Sequence, residues 1–273
     1  MTNRPRFFSW LAHAGIVLAL VTLLGACADD TKTAYREGTV ENLYNEAMDN
    51  LYARMYDEAA AMFDEVERQH PYSVWATRAQ LMAAYAYYRN DQYDEATIAA
   101  RRFIQLHPGH ADVAYAYYLV GIGYYEQISD IGRDQQMTMS ALDAFEDLVR
   151  RFPDSDYAED ARQKIVFAYD HLAGKEIEIG RYYLVRGFYI AAINRFRAVV
   201  DDYETTTHTP EALHRLVEAY LALGLPQEAQ RAAAILGYNF PSSAWYRDSY
   251  RLLTGKDVPI DETDDDGFLS GLF

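Results

Sequence analysis

The sequence predicts an all-α chain: a right-handed α-solenoid of five helix pairs closed by a C-terminal capping helix. Three observations predict it. The stretch ALDAFEDLVRRFP places Ala141, Phe145 and Leu148 at i, i+4 and i+7, one apolar stripe along a helix, and ends that helix at Pro153. The same figure recurs as Ala59, Phe63, Val66 and Pro71, as Ala96, Ala100, Phe103 and Pro108, as Ala192, Phe196 and Val199, and as Ala229, Ala233, Leu236 and Pro241; only the fourth copy lacks its proline, carrying Glu204 there. The leading alanines step by 37, 45, 51 and 37 residues, a basic period with insertions of 8 and 14. Twelve and nine residues upstream of each alanine stands a second helical signature: Ala47 and Asn50, Ala84 and Tyr87, Gly180 and Tyr183, Val217 and Tyr220, with Gly121 and Tyr124 displaced by eight in the third copy. A small residue lets two helices approach, and Tyr56, Tyr93 and Tyr189 mark the turn between the members of a pair. This is a helix-turn-helix repeat of tetratricopeptide (TPR) type.

Along the chain, residues 1–26 read as a targeting segment, with Arg4 and Arg6 as its charged start and an apolar run over 16–24 that is too short to span a bilayer. The run ends in LLGAC, which is similar to a bacterial lipoprotein signal whose cysteine, here Cys27, is acylated and becomes the first mature residue. Ala28 after that cysteine implies release to the outer membrane. Residues 27–40 are polar and aperiodic, the pattern of a flexible tether. Residues 41–255 carry the solenoid. Pro71, Pro108-Gly109 and Pro153-Asp154-Ser155 punctuate it, with Asp154 or Ser155 available to cap the next helix. The insertion around SDIGRDQQMT predicts a loop between the helices of the third pair. The second insertion keeps helical periodicity over 157–186, predicting one long helix, straight or slightly kinked near Gly174, that bridges repeats three and four. Residues 242–253 predict the terminal helix that solenoids need over their last face. Residues 256–273 form an acidic tail ending GFLSGLF, predicted to be disordered.

Composition excludes several functions. A formal charge of −16 and the lack of a basic stripe argue against nucleic-acid binding. A single cysteine cannot make an internal disulfide. Gly174-Lys175 and Gly255-Lys256 lack the rest of a phosphate loop, no nucleophile stands with a base, and His107 and His110 in LHPGH read as turn residues rather than metal ligands. The chain therefore predicts no enzyme, no cofactor and no metal. Its 24 tyrosines exceed what packing in five repeats requires, which points to a binding surface. The first helix of each TPR pair lines the concave groove, through positions that map to Tyr44, Met48 and Leu51, then Leu81, Tyr85 and Tyr88, then Tyr115, Tyr118, Ile122 and Tyr125. An aromatic groove suits an extended peptide with alternating aromatics. The corresponding positions of the last two repeats, Ile177, Arg181 and Leu184, then His214, Glu218 and Leu221, are more mixed and suit a folded partner.

The runs ALDAFEDLVRRFPDSDYAEDA and GRYYLVRGFYIAAINRF, together with the lipobox and all five repeats, closely resemble the BamD (ComL) family of outer-membrane β-barrel assembly lipoproteins. The resemblance implies a periplasmic adaptor, lipid-anchored to the outer membrane, that receives unfolded outer-membrane proteins, docks on the POTRA domains of the barrel subunit and works beside sister lipoproteins. It makes Asn194 and Arg195 the candidates for docking: Arg195 lies three residues past Ala192, at the edge of the core stripe, where its stem can cover the repeat and its planar head can meet a partner's carboxylate. A pilotin-like or protease-adaptor lipoprotein shares the lipobox and the repeats but leaves AAINRF and the bridging helix unexplained.

Overall fold

The computed structural model describes residues 38–257. Cys27, the targeting segment, most of the tether and the acidic tail beyond Asp257 lie outside the described residues. Five antiparallel helix pairs follow one another: α1 (Val40–Tyr52) with α2 (Tyr56–Gln69), α3 (Val74–Arg89) with α4 (Tyr93–Leu106), α5 (Val113–Tyr125) with α6 (Gln136–Arg151), α7 (Asp156–Val185) with α8 (Tyr189–Asp202), and α9 (Thr209–Ala222) with α10 (Pro226–Asn239). Helix α11 (Ala244–Thr254) packs on α9 and α10 and closes the stack. Each helix touches the next, and beyond that the first helices touch along their own row, α1 with α3, α3 with α5, α5 with α7, α7 with α9. The second helices make no such row. That asymmetry puts the first helices on the inner, more closely spaced side of a TPR solenoid. Among the described residues no helix is long and apolar enough to cross a membrane.

The repeat is built from a few contacts. All five marker alanines are fully buried, and so are Phe63, Phe103, Phe145 and Phe196. Phe145 and Phe196, four residues past their markers, each lie against a glycine of the partnering first helix. A Cβ on Gly121 would sit 2.5 Å from Phe145 Cδ1, and one on Gly180 would sit 2.8 Å from Phe196 Cδ1 and Cζ, so glycine here is a matter of approach, not flexibility. The second repeat exchanges large and small, with Ala100 at the near position and Phe103 a turn later.

The turns within pairs share one geometry. In four of them the middle residue is left-handed: Arg54 (φ 61°), Asp91 (φ 58°), Gly187 (φ 77°) and Gly224 (φ 72°). Each is followed by a six-to-one backbone bond, Met55 N donating to Asn50 O, Gln92 to Tyr87, Phe188 to Tyr183 and Leu225 to Tyr220, at 2.9–3.0 Å. This is a Schellman stop, and the upstream Asn and Tyr positions are where it closes. Between pairs, Ser73 and Ser155 cap α3 and α7 by accepting from Ala76 N and Ala158 N at 3.0 and 3.2 Å, so of the two capping candidates Ser155 is used. The turn that lacks proline is closed by hydroxyls: Thr206 and Thr209 donate to Tyr203 O at 2.9 and 3.1 Å.

Both insertions meet on α7. It runs as a single helix of 30 residues, with no break at Gly174. That glycine is buried because the insertion loop and the α8–α9 turn press on it: a Cβ there would be 3.2 Å from His208 Nε2 and 3.8 Å from Ile131. Of the two forms expected, one unbroken long helix is the one found, and Gly174 serves a close approach. His171 Nε2 bonds Ser129 O at 2.8 Å and Lys175 Nζ donates to Gly132 O at 2.9 Å, strapping the loop to the helix, while Asp170 accepts the Thr207 amide and hydroxyl at 3.1 and 2.6 Å.

The cap is held by polar contacts. His214 is buried on α9, its Nδ1 2.8 Å from Ser249 Oγ on α11 and its Nε2 3.5 Å from Glu218. Arg215 Nη1 donates to Glu218 at 2.8 Å. His214 and Arg215, against the cost of burial, hold the Glu218 carboxyl down at about 2. A depressed carboxylate stabilises the fold above its unfolded pKa and loses that contribution as pH falls through the folded value. Glu218→Gln is accordingly expected to lower the melting temperature at pH 7 through a loss of order 1 kcal/mol, and the gap to wild type should close between about pH 4.5 and 2. A gap that persists at pH 2 in thermal denaturation would assign the effect to packing instead.

Candidate functional site

Periodicity places an aromatic residue on the inner face of each early first helix, and packing decides how much of it remains open. Tyr44, Met48, Tyr85, Tyr88, Tyr115, Tyr118 and Tyr125 are all half-buried on the inner row. Leu81 is not a groove residue: at 7% exposure it belongs to the core with Ala84, Phe103 and Leu119, because α5 covers its face of α3. Leu51, Ile122, Ile177 and His214 are buried likewise. Tyr44 leans inward, 5.5 Å from Phe63 and 4.8 Å from Trp75, so it roofs the first repeat rather than standing clear.

The open aromatics form a row across three helices. Tyr85 of α3 lies 6.4 Å from Tyr115 of α5; Tyr115 and Tyr118 lie 5.2 and 5.5 Å from Tyr157 of α7; Tyr125 lies 5.5 Å from Phe167 of α7. Tyr157 and Phe167 complete the row and were not among the residues mapped from the repeat. The long insertion hides them: the first half of α7 continues the inner row before the repeat's own first helix begins. The buried stripe Ala158, Ala161, Ala168 and Leu172 is the periodic signal that identifies this half as a packed helix. Burial pushes the Tyr115 and Tyr118 hydroxyls well above the usual phenol range, so both remain protonated donors. Tyr118 donates to Asp160 at 2.7 Å and Tyr88 to Glu126 at 3.4 Å. The row thus offers apolar ring faces flanked by polar edges, suited to an extended chain with aromatic side chains.

The second candidate region lies on α7 and α8. Asn194 is exposed and Arg195 half-buried. The Arg195 head is already engaged: Nη1 donates to both oxygens of Glu176 at 3.1 and 3.3 Å, an ion pair across the two helices. The head expected to meet a partner's carboxylate thus already shares one nitrogen with a carboxylate that α7 brings to the site. Glu176, Tyr183, Asn194, Arg195, Asp202 and Tyr203 line an open cleft of about 340 Å³.

His107 and His110 have structural partners. His107 Nε2 lies 2.9 Å from Gln80 Oε1, His110 Nδ1 accepts from the Asp112 amide at 3.1 Å, and both rings pack on Phe103. Among the described residues no group of His, Cys, Asp and Glu is placed to hold a metal.

Comparison with known proteins covers most of the helical region. Residues 36–236 match the family YfiO, described as outer membrane lipoprotein. The outer membrane protein assembly factor BamD of Caulobacter vibrioides is 52% identical over 240 residues, covering 87% of this chain and 78% of that protein. BamD of Rickettsia prowazekii is 44% identical, covering 89% of this chain and 96% of its own length, and that of Neisseria meningitidis serogroup A is 37% identical, covering 85% and 95%. Among solved structures, the TPR2AB-domain:pHSP90-complex of yeast Sti1 aligns with a TM-score of 0.40 at 12% identity, covering 78% of this chain and 82% of that one. With a family match over most of its helical repeats and relatives this similar over 78% and 96% of their own lengths, the chain belongs to the YfiO family of outer membrane lipoproteins, the family of the BamD assembly factors.

Proposed function

We propose that this protein is a lipid-anchored adaptor of outer-membrane β-barrel assembly, attached through Cys27 to the periplasmic face of the outer membrane. Its N-terminal groove receives extended segments of unfolded outer-membrane proteins, and the α7–α8 cleft with Asn194 and Arg195 docks on the POTRA domains of the barrel subunit, beside sister lipoproteins. The observation that carries the groove reading is the row Tyr85, Tyr115, Tyr157, Tyr118, which crosses three helices with ring centroids 5.2–6.4 Å apart. A folded core does not need such a row at its surface; an extended ligand with side chains on alternate sides does. Separation along the chain supports two tasks: the aromatic row occupies the second and third repeats and the first half of α7, while the Arg195 cleft lies between the second half of α7 and α8. Purification of the lipidated protein from detergent-solubilised membranes tests the assignment. A POTRA-containing barrel should co-purify; a secretin or a protease in its place would overturn it in favour of a pilotin-like or protease-adaptor role.

A further inference from the structure

One cation in the groove is held by two tyrosine hydroxyls at once. Arg89 closes α3 four residues after Tyr85, and so shares its face. Its Nη1 donates to Tyr85 Oη at 2.7 Å and its Nη2 to Tyr56 Oη at 2.8 Å, with the guanidinium carbon 5.7 and 4.9 Å from the two ring centroids. Several arginines pair with acids, Arg102 with Glu67, Arg151 with Asp147, Arg181 with Glu211 and Arg195 with Glu176, while Arg78, Arg101 and Arg186 each lie over a single ring. Among the described residues no carboxylate pairs with Arg89. The nearby acids are engaged by other groups, Glu126 by the Tyr88 hydroxyl and Asp91 by the Tyr93 hydroxyl. Two neutral hydroxyls orient a guanidinium without neutralising it, and two bonds leave three of its five N–H donors unused. On a chain of net charge −16, a guanidinium fixed in place and lacking an acid is set up for an anion that arrives from outside.

We propose that Arg89 is the carboxylate-reading residue of the groove, binding a carboxylate on the same extended segment whose aromatic side chains lie against Tyr85, Tyr88 and Tyr115. This rests on the substrate-groove reading and specifies its ligand: an aromatic-rich peptide with a negative group one or two residues from an aromatic. The carboxylate has two possible sources, the end of the bound chain or an Asp or Glu side chain, and the planar fork of arginine suits either.

The test is fluorescence anisotropy on the full-length lipidated protein in detergent micelles. The probe is a labelled peptide of alternating aromatics with one Glu beside an aromatic, prepared with a free or an amidated C-terminus and with Glu or Gln. Wild type should bind the peptide lacking the relevant carboxylate about tenfold more weakly or worse. Arg89→Gln should bind all four forms at that weaker level, and Arg89→Lys should recover part of the difference, keeping the charge but not the fork. A loss on amidation identifies the chain end as the source, and a loss on Glu→Gln identifies the side chain. Circular dichroism and melting temperature should be unchanged, since Arg89 is exposed. If wild type binds all four forms equally while Tyr88→Ala weakens each, the groove reading stands and the role of Arg89 is overturned. If no form binds wild type, both fall together.

Discussion

Phe196→Ala is expected to destabilise the protein by about 3–5 kcal/mol, and Gly180→Ala by about 1–3 kcal/mol, yet the double variant should cost clearly less than the sum. Phe196 is fully buried, flanked by Ala192 and Val199 of its own helix and lying on the α7 backbone at Gly180. Removing the ring leaves a cavity that its neighbours on α7, α8 and α9 fill only in part. Adding a Cβ at Gly180 brings it within 2.8 Å of three ring carbons, closer than real methyl contacts, so ring or helix must move. With the ring gone, the added methyl occupies space that is now empty. Urea denaturation of the two single variants and the double decides the matter. Additive costs would mean that α7 and α8 relax independently, contrary to a pair held by one ring on one glycine.

Arg195→Glu is expected to abolish co-purification of the barrel subunit, a loss of about 2–5 kcal/mol at a buried interfacial contact, while stability changes by less than about 1 kcal/mol. The stability estimate follows from the ion pair the arginine already makes. Its side chain is 43% exposed and that of Glu176 21%, so solvent screens the pair, and the reversed charge can swing away from Glu176. Only Nη1 is bonded to Glu176, which leaves the rest of the fork for a partner. Glu176→Gln separates the two roles. It removes the internal carboxylate but not the guanidinium, so co-purification should be kept in Glu176→Gln and lost in Arg195→Glu. Undiminished co-purification in Arg195→Glu would place the docking surface elsewhere; loss in both variants would show that the pair is needed as a unit.

The sequence by itself determined the helices, because their causes are local. A stripe at i, i+4 and i+7 fixes which face of a helix is apolar, a left-handed residue after Asn50, Tyr87, Tyr183 or Tyr220 stops the first helix of a pair, and Ser73 or Ser155 starts the next. The aromatic character of the groove was legible for the same reason, since Tyr85, Tyr88, Tyr115 and Tyr118 fall on the inner face by spacing alone. Tertiary structure decided which of these side chains remain available. Leu81 is covered by α5, more than thirty residues later in the chain, and Arg195 meets a carboxylate nineteen residues earlier only because α7 and α8 pack antiparallel. Gly174, a candidate kink by propensity, serves instead to admit His208 and the insertion loop against an unbroken helix, and Tyr157 and Phe167 join the groove because α7 begins its inner course before the repeat does. Spacing along one helix says which way a side chain faces; whether that face meets solvent, a ligand or another helix depends on neighbours distant in the chain, and only their packing sets it.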